Sequence, residues 1–339
     1  MEEGAKMKKL ISGILLVTTL ITLGACHSGQ ASKKETKLEK VTFVLDWTPN
    51  TNHTGLYVAK EKGYFKEAGL DVSIVQPSDG DASMIVASNK AQFGISAQDS
   101  LAADYVSAKP LPITTVATIL QHNTSGIVSR KGEGINHPKG LEKKTYATWD
   151  SPIEKAMIKD VMAKDNGGDF NKVKLIPNTI VDEPLALKEK QADAIWIFYG
   201  WGGIKAGVDN VAIDYFNFKD INPVFDYYTP VIFANDTFLK ENPKTAKKFL
   251  AAASKGYEDA IKDPQAAADI LCKEVPELDK NLVQKSQAWI SQQYKAEAKS
   301  WGYIEPKRWN AFYDWLSENK LVAKKIPENT GFTNAYLSE

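Results

Sequence analysis

From residue 41 onward, short runs of β-branched and aromatic residues alternate with stretches of helical periodicity, and that rhythm leaves few folds open. Residues 41–45, 72–75, 92–96 and 113–120 read as strands, with helices over 55–62, 82–89 and 101–107 between them. Strands that alternate with helices predict a parallel sheet covered on both faces. Residues 126–129 read as a further strand of this first unit, and Lys131-Gly132-Glu133-Gly134-Ile135 as a crossover into a second. The second unit repeats the pattern, with strands over 145–148, 173–176, 194–198 and 211–215 and helices over 152–164 and 183–190. Residues 228–234 are apolar and extended and return the chain to the first unit. Helices over 236–262, 264–273, 278–294 and 306–319 follow. The expected fold is α/β: lobe 1 from residues 41–130 and 227–339, lobe 2 from 131–226, and a ligand cleft between them.

The first 40 residues stand apart. Lys6, Lys8 and Lys9 precede an apolar run over 10–23 that ends Leu23-Gly24-Ala25-Cys26. That run is too short for a stable membrane span, which needs about 20 apolar residues, and it suits the apolar region of a signal peptide. Small residues before a cysteine resemble the bacterial lipoprotein signal, so residues 1–25 are expected to be removed and Cys26 to carry lipid. Glu2 and Glu3 are unusual before such a run, which makes Met7 an alternative start. Residues 26–40 are rich in Ser, Gly, Lys and Glu and read as a flexible tether. Cys272 is then left without a partner and is expected to be a core thiol.

Composition removes several classes. The chain carries 42 Lys+Arg against 42 Asp+Glu, so it has no excess of cations to displace the counterions of a nucleic acid. It has no GxxxxGK[ST] loop, no GxGxxG after a strand, no HExxH and no GxSxG elbow. The four histidines are scattered, which gives no support for a zinc site. Neither a catalytic constellation nor a cofactor is implied.

Four segments have the residue types of a binding site. The first runs from Asp46 to Gly55 at the carboxyl end of the first strand, where ligands of open α/β sheets sit. Trp47 offers a flat face, and Asn50, Asn52, His53 and Thr54 offer donors and acceptors for a heteroaromatic ring. The alternative is a loop of Asx turns with Trp47 in the core and Thr54 as a helix cap. The second is Ser96-Ala97-Gln98-Asp99-Ser100, where Gln98 and Asp99 are candidates, against plain capping by Asp99 or Ser100. In the third, Trp149 to Glu154, Ser151 and Glu154 form a capping box with Pro152 at the first helical position. Glu154 already places negative charge there, which favours a neutral or cationic ligand group. The fourth is Trp196 to Trp201. Trp196 and Phe198 share a strand face and one aromatic set is expected in the core, leaving Tyr199 and Trp201 as the site candidates. The Gly-rich run 200–203 reads as a turn without a following helix.

These segments resemble one family. The run FVLDWTPNTNHTGLYVAKEKGYFKEAGLDV, residues 43–72, is similar to the opening of the substrate-binding proteins related to thiamin-pyrimidine synthesis and uptake. That group includes bacterial formylaminopyrimidine-binding proteins and the fungal hydroxymethylpyrimidine phosphate synthases. The similarity continues through QFGISAQDSLAADY, KGEGINHPKGLEKKTYATW and ADAIWIFYGW. It implies the two-lobed type II periplasmic-binding-protein fold. It also implies stacking by Trp47, ring hydrogen bonds from Asn50 and His53, and a tyrosine, Tyr199, that closes over the ring. There is one departure: the formylaminopyrimidine binders place a glutamate where this chain has Gly203, and Glu154 or Asp99 are the candidates to replace it.

The resemblance therefore implies a lipid-anchored, monomeric solute-binding subunit of an ABC importer, outside the cytoplasmic membrane. It would bind a pyrimidine thiamin precursor by cleft closure and deliver it to permease and ATPase subunits. One alternative is a binding protein of the same fold for a sulfonate, nitrate or another small solute. A second is the synthase: in the fungal enzymes a lysine and a histidine carry the chemistry, and here Ser96 and Asp99 or Ser100 stand at those places. A third is a surface adhesin or structural lipoprotein.

Overall fold

The computed structural model describes residues 37–77 and 81–338. The signal segment, Cys26 and residues 26–36 of the expected tether lie outside the described residues. The first strand starts earlier than expected, because Glu39 and Lys40 already pair with Leu70 and Asp71.

Ten strands form two five-stranded sheets among the described residues. They are β1 (Glu39–Val44), β2 (Leu70–Val75), β3 (Phe93–Ser96), β4 (Ile113–Thr118) and β5 (Ser125–Arg130), then β6 (Thr145–Thr148), β7 (Lys174–Pro177), β8 (Ala194–Phe198), β9 (Ile213–Asn217) and β10 (Val231–Asn235). The first sheet has the order β2-β1-β3-β10-β4 and the second β7-β6-β8-β5-β9. Within each, the strands joined through helices run parallel: β1 with β2 and β3, and β6 with β7 and β8. Each sheet also holds one strand that arrives from the other lobe and runs antiparallel. β10 lies against β3 and β4, and β5 against β8 and β9. The sheets are therefore mixed, where a purely parallel arrangement is expected from the rhythm alone.

That arrangement corrects the position of the first crossing. β5 belongs to lobe 2, so the chain crosses at residues 119–124 and not at Lys131–Ile135. The pairing of β5 and β9 is close: a Cβ on Gly126 would stand 2.1 Å from the Phe216 carbonyl oxygen, so only glycine fits. The return runs through residues 226–230. A third tie is the helix Pro306–Glu318, whose Trp309, Phe312, Tyr313 and Trp315 are buried in a core shared by both lobes. Phe312 stacks on Tyr227 of the return crossing at 4.1 Å, and Trp315 meets Phe225 edge-on at 4.9 Å.

Local boundaries shift for local reasons. The expected helix over 236–262 is two, Asp236–Glu241 and Pro243–Lys262, because Pro243 cannot donate to the preceding turn. Residues 199–203 make a wide, π-type turn that leads into a short helix, Ile204–Val208, where no helix is expected. Cys272 is half-buried beside a small apolar cluster, not in the main core, and burial pushes its thiol up. Among the described residues no helix is long and apolar enough to cross a membrane.

Candidate functional site

The carboxyl ends of β1, β3, β6 and β8 converge on the space between the lobes, which holds two adjoining chambers of about 460 and 360 Å³. Asp46, Trp149, Trp196, Phe198, Thr229 and Pro230 line both. The larger chamber adds Ser96, Asp99, Ser151, Glu154, Asp81 and Tyr227, and the smaller adds Trp47, Asn50, Asn52, Glu183 and Trp201. Among the described residues, no lysine, arginine or histidine lines either chamber, while Asp46, Asp81, Asp99, Glu154 and Glu183 do.

The lobe 1 wall is a loop held from behind. The Asn50 backbone N–H donates to His53 Nδ1 at 3.1 Å, so that nitrogen is unprotonated and Nε2 carries the ring hydrogen. Nε2 then donates to Asp46 Oδ1 at 2.9 Å. The Asn50 carboxamide accepts from the Asn52 N–H and donates to the Thr48 carbonyl, each within 3.0 Å. The Tyr257 and Tyr294 hydroxyls donate to the carbonyls of Asn52 and Thr51. The outcome for His53 is a correction: it is fully buried with both ring nitrogens engaged, so it braces Asp46 and Asn50 and does not face the cleft. Trp47 is 51% exposed, which removes the core alternative for that side chain.

Gln98 is also displaced from the site. It is fully buried; its carboxamide accepts from the Tyr228 N–H at 2.9 Å and donates to the Trp309 carbonyl at 2.8 Å, tying the return crossing to the C-terminal helix. Asp99 is not a cap, because the helix Gln98–Val106 begins earlier, with Ala97 at its N-cap. Asp99 is instead in the first turn at the wall of the larger chamber. Burial pushes its carboxyl up to about 6, against the Ser100 N–H, its own N–H and the Tyr227 hydroxyl, which pull it down.

On lobe 2, Ser151 and Glu154 form the capping box of the helix Pro152–Lys164. Glu154 is buried and fully engaged. It accepts from the Tyr146 hydroxyl at 2.6 Å, the Thr148 hydroxyl at 2.9 Å and the N–H groups of Trp149 and Ser151 at 3.3 Å. Asp150 takes a left-handed φ of 64°, which aspartate tolerates, and its neighbour Trp149 is 53% exposed in the cleft.

At the end of β8, Trp196 joins the shared core, as one aromatic of that face is expected to, and yet also borders the cleft, while Phe198 is 40% exposed. Ile195 and Ile197 bury against Val128, Ala147 and Leu187, while Trp196 and Phe198 take the opposite face and line both chambers. Tyr199 lies off the cleft, against Tyr215 at 5.0 Å and Trp289 at 5.3 Å. Trp201 lines the smaller chamber and rests on helices of lobe 1. Trp149, Trp196, Phe198, Asp81 and Tyr227 are among the lining residues that the sequence argument did not select for binding. The strand-face period carries a signal for the Trp196 and Phe198 pair, but not for which face meets ligand.

The position of Gly203 explains itself. A Cβ there would fall 2.5 Å from the Tyr199 ring, so a larger residue at 203 and the present place of Tyr199 exclude each other.

Two α/β lobes, each built on a mixed sheet and joined by two crossings with a lined cleft between, make up the fold of the periplasmic binding proteins. The alkanesulfonate-binding protein of Xanthomonas axonopodis pv. citri, solved with MOPS bound, matches with a TM-score of 0.66 over 89% of this chain and 99% of that one. At 12% identity that is a likeness of fold alone. The model of the family described as NMT1/THI5 like matches residues 50–267, and this chain belongs to that family. It is 28% identical to the formylaminopyrimidine-binding protein of Halalkalibacterium halodurans, over 97% of this chain and 99% of that one. It is 27% identical to a 4-amino-5-hydroxymethyl-2-methylpyrimidine phosphate synthase of Saccharomyces cerevisiae, over 88% of each.

Proposed function

We propose that this chain is the solute-binding subunit of an importer and that it captures an uncharged or protonated aminopyrimidine, a thiamin precursor, between its lobes. The observation that carries the reading is the cleft lining: four tryptophans and a phenylalanine beside five carboxylates, with no cationic side chain among the described residues. Flat faces suit a heteroaromatic ring, and an aromatic pair adds about 0.5–1.5 kcal/mol beyond burial. Carboxylates suit amino groups and repel anions.

That lining argues against the sulfonate reading, since a sulfonate would meet acidic side chains without a balancing cation. It also weighs against the synthase reading, because among the described residues no lysine lines either chamber to form a Schiff base. Trp47, Asn50, Asp99, Ser151, Glu154 and Trp201 form the proposed contact set, joined by Trp149, Trp196 and Phe198. His53 supports it from behind.

Ligand contacts from both lobes favour the closed state, and closure is the signal read by a membrane permease whose ATPase is a separate subunit. Lipid on Cys26 would hold the protein at the outer face of the membrane. A micromolar to nanomolar dissociation constant corresponds to about −8 to −12 kcal/mol. Stacking on tryptophan with a few buried hydrogen bonds is of that order once ordering costs are met.

The test is calorimetric titration of protein from Ser28 onward, unfolded and refolded to remove carried-over ligand. Formylaminopyrimidine, hydroxymethylpyrimidine and an alkanesulfonate are compared. Tight 1:1 binding of a pyrimidine is expected. Heat from the sulfonate with silence from both pyrimidines overturns the substrate and leaves the fold.

A further inference from the structure

Two buried polar atoms on the wall of the larger chamber find no partner among the described residues: Asp99 Oδ1 and Trp196 Nε1. Such atoms cost free energy unless something in the chamber pairs with them. Trp196 is only 5% exposed and its Nε1 is buried. Asp99 keeps some exposure as a residue, but its Oδ1 is shut off.

The other carboxylates of that chamber are placed differently. Glu154 already has four donors, while Asp46 and Asp81 are exposed to water, and each has one oxygen engaged, by His53 and by the Ser83 N–H. Gly203 offers no carboxylate, and Tyr199 occupies the space where its side chain would start.

We infer that Asp99 and Trp196 are the specificity-determining pair of the cleft: Asp99 accepts from the exocyclic amino group of the ring, and the Trp196 indole donates to a ring nitrogen. This rests on the aminopyrimidine reading and assigns its polar edge. An acceptor and a donor on the wall of one chamber match a 4-aminopyrimidine, whose amino group donates next to an accepting ring nitrogen. It mismatches the 4-oxo analogue, whose carbonyl accepts next to a donating N–H. The pair thus reads the order of donor and acceptor on the ring. Trp47 and Trp149 read only its flat face.

The test titrates 4-amino-5-hydroxymethyl-2-methylpyrimidine and its 4-oxo analogue into the wild type, Asp99→Asn and Trp196→Phe. The wild type is expected to prefer the amino ring by roughly a hundredfold, since unpaired buried groups reject the wrong edge strongly. Asp99→Asn presents a carboxamide that turns to either edge, so the preference should fall below about tenfold. Trp196→Phe keeps the aromatic face and removes only the donor, so the amino ring should bind roughly tenfold more weakly. Circular dichroism confirms that each variant folds, and Trp196→Phe carries the test alone if Asp99→Asn does not. A wild type that binds the amino ring, with its preference unchanged in both folded variants, overturns this assignment and leaves the function standing. A wild type that binds neither ring overturns the pyrimidine reading and this inference with it.

Discussion

The two walls of the cleft are built in opposite ways. The lobe 1 loop, residues 46–55, is supported from behind by buried and half-buried hydrogen bonds: Asn50 to His53, His53 to Asp46, and two tyrosine hydroxyls on its carbonyls. The lobe 2 wall has one hydrogen-bonded point, the capping box of Glu154, and beyond it is held by rings. Trp149 leans on Trp196 at 6.0 Å and Trp196 on Phe218 at 4.3 Å, and the indole N–H of Trp196 is left unmatched. A wall of hydrogen bonds fixes where a few polar atoms stand. A wall of stacked rings offers area and accepts small shifts. The difference teaches that the two walls answer to different disturbances: the loss of one hydrogen-bond partner loosens the lobe 1 loop, and the loss of ring packing loosens the lobe 2 wall.

The comparison breaks most readily at His53. His53→Ala leaves the buried Asn50 N–H without its acceptor and removes the donor that holds the exposed Asp46 carboxylate in place. A loss of about 1–3 kcal/mol in urea unfolding is expected, together with weaker ligand binding as the loop loosens. An unchanged unfolding midpoint would mean that the loop does not depend on its buried support. Trp47→Ala separates the two roles. Because the side chain is 51% exposed, stability should hold, while affinity falls by more than tenfold, about 1.4 kcal/mol. Calorimetry with a parallel thermal melt reads both, and unchanged affinity would remove Trp47 from the site.

A smaller effect probes the lobe 2 turn. Gly203→Ala forces a Cβ against the Tyr199 ring, and Tyr215 and Trp289 stop that ring from moving aside. A cost of about 1 kcal/mol is expected, with most of it removed in a Tyr199→Ala background. Equal costs in both backgrounds would show that the turn is as loosely held as the rest of its wall.

The α/β rhythm and the two lobes were legible because hydrophobic periodicity is local. Membership of a sheet is not local: residues 125–130 make a strand that either lobe could take, and only pairing with β8 and β9 decides. The site divides in the same manner. Ser151 and Glu154 were readable as a capping box because both partners lie within one turn. Gln98 looked like a ligand residue at a strand end, yet its partners, Tyr228 and Trp309, arrive from the return crossing and the C-terminal helix. Trp196 and Phe198 were placed on one face by the strand period. Which face met the cleft depended on Ile195 and Ile197 finding the core of lobe 2.

The least effect is expected at the hinge, which neither wall contains. His122 sits on the first crossing and bridges Asp226 of the return crossing at 2.7 Å and Glu297 at 2.9 Å, while Arg308 faces the same cluster. The hydrogen bond to Asp226 raises the His122 imidazole above its usual 6.5, with burial and Arg308 opposing the shift and Glu297 adding to it. A histidine raised on folding binds its proton more tightly in the folded state. Its stabilisation is therefore complete below about pH 6.5 and is lost as the pH rises through the raised value. The melting temperature of the wild type should exceed that of His122→Asn by more at pH 5.5 than at pH 9. Because the cluster joins the two crossings and touches neither chamber, pyrimidine affinity at neutral pH should change less than in any wall variant. A gap in melting temperature that does not vary with pH would mean that the imidazole acts there as a neutral spacer, and that the lobes are tied by the shared aromatic core alone.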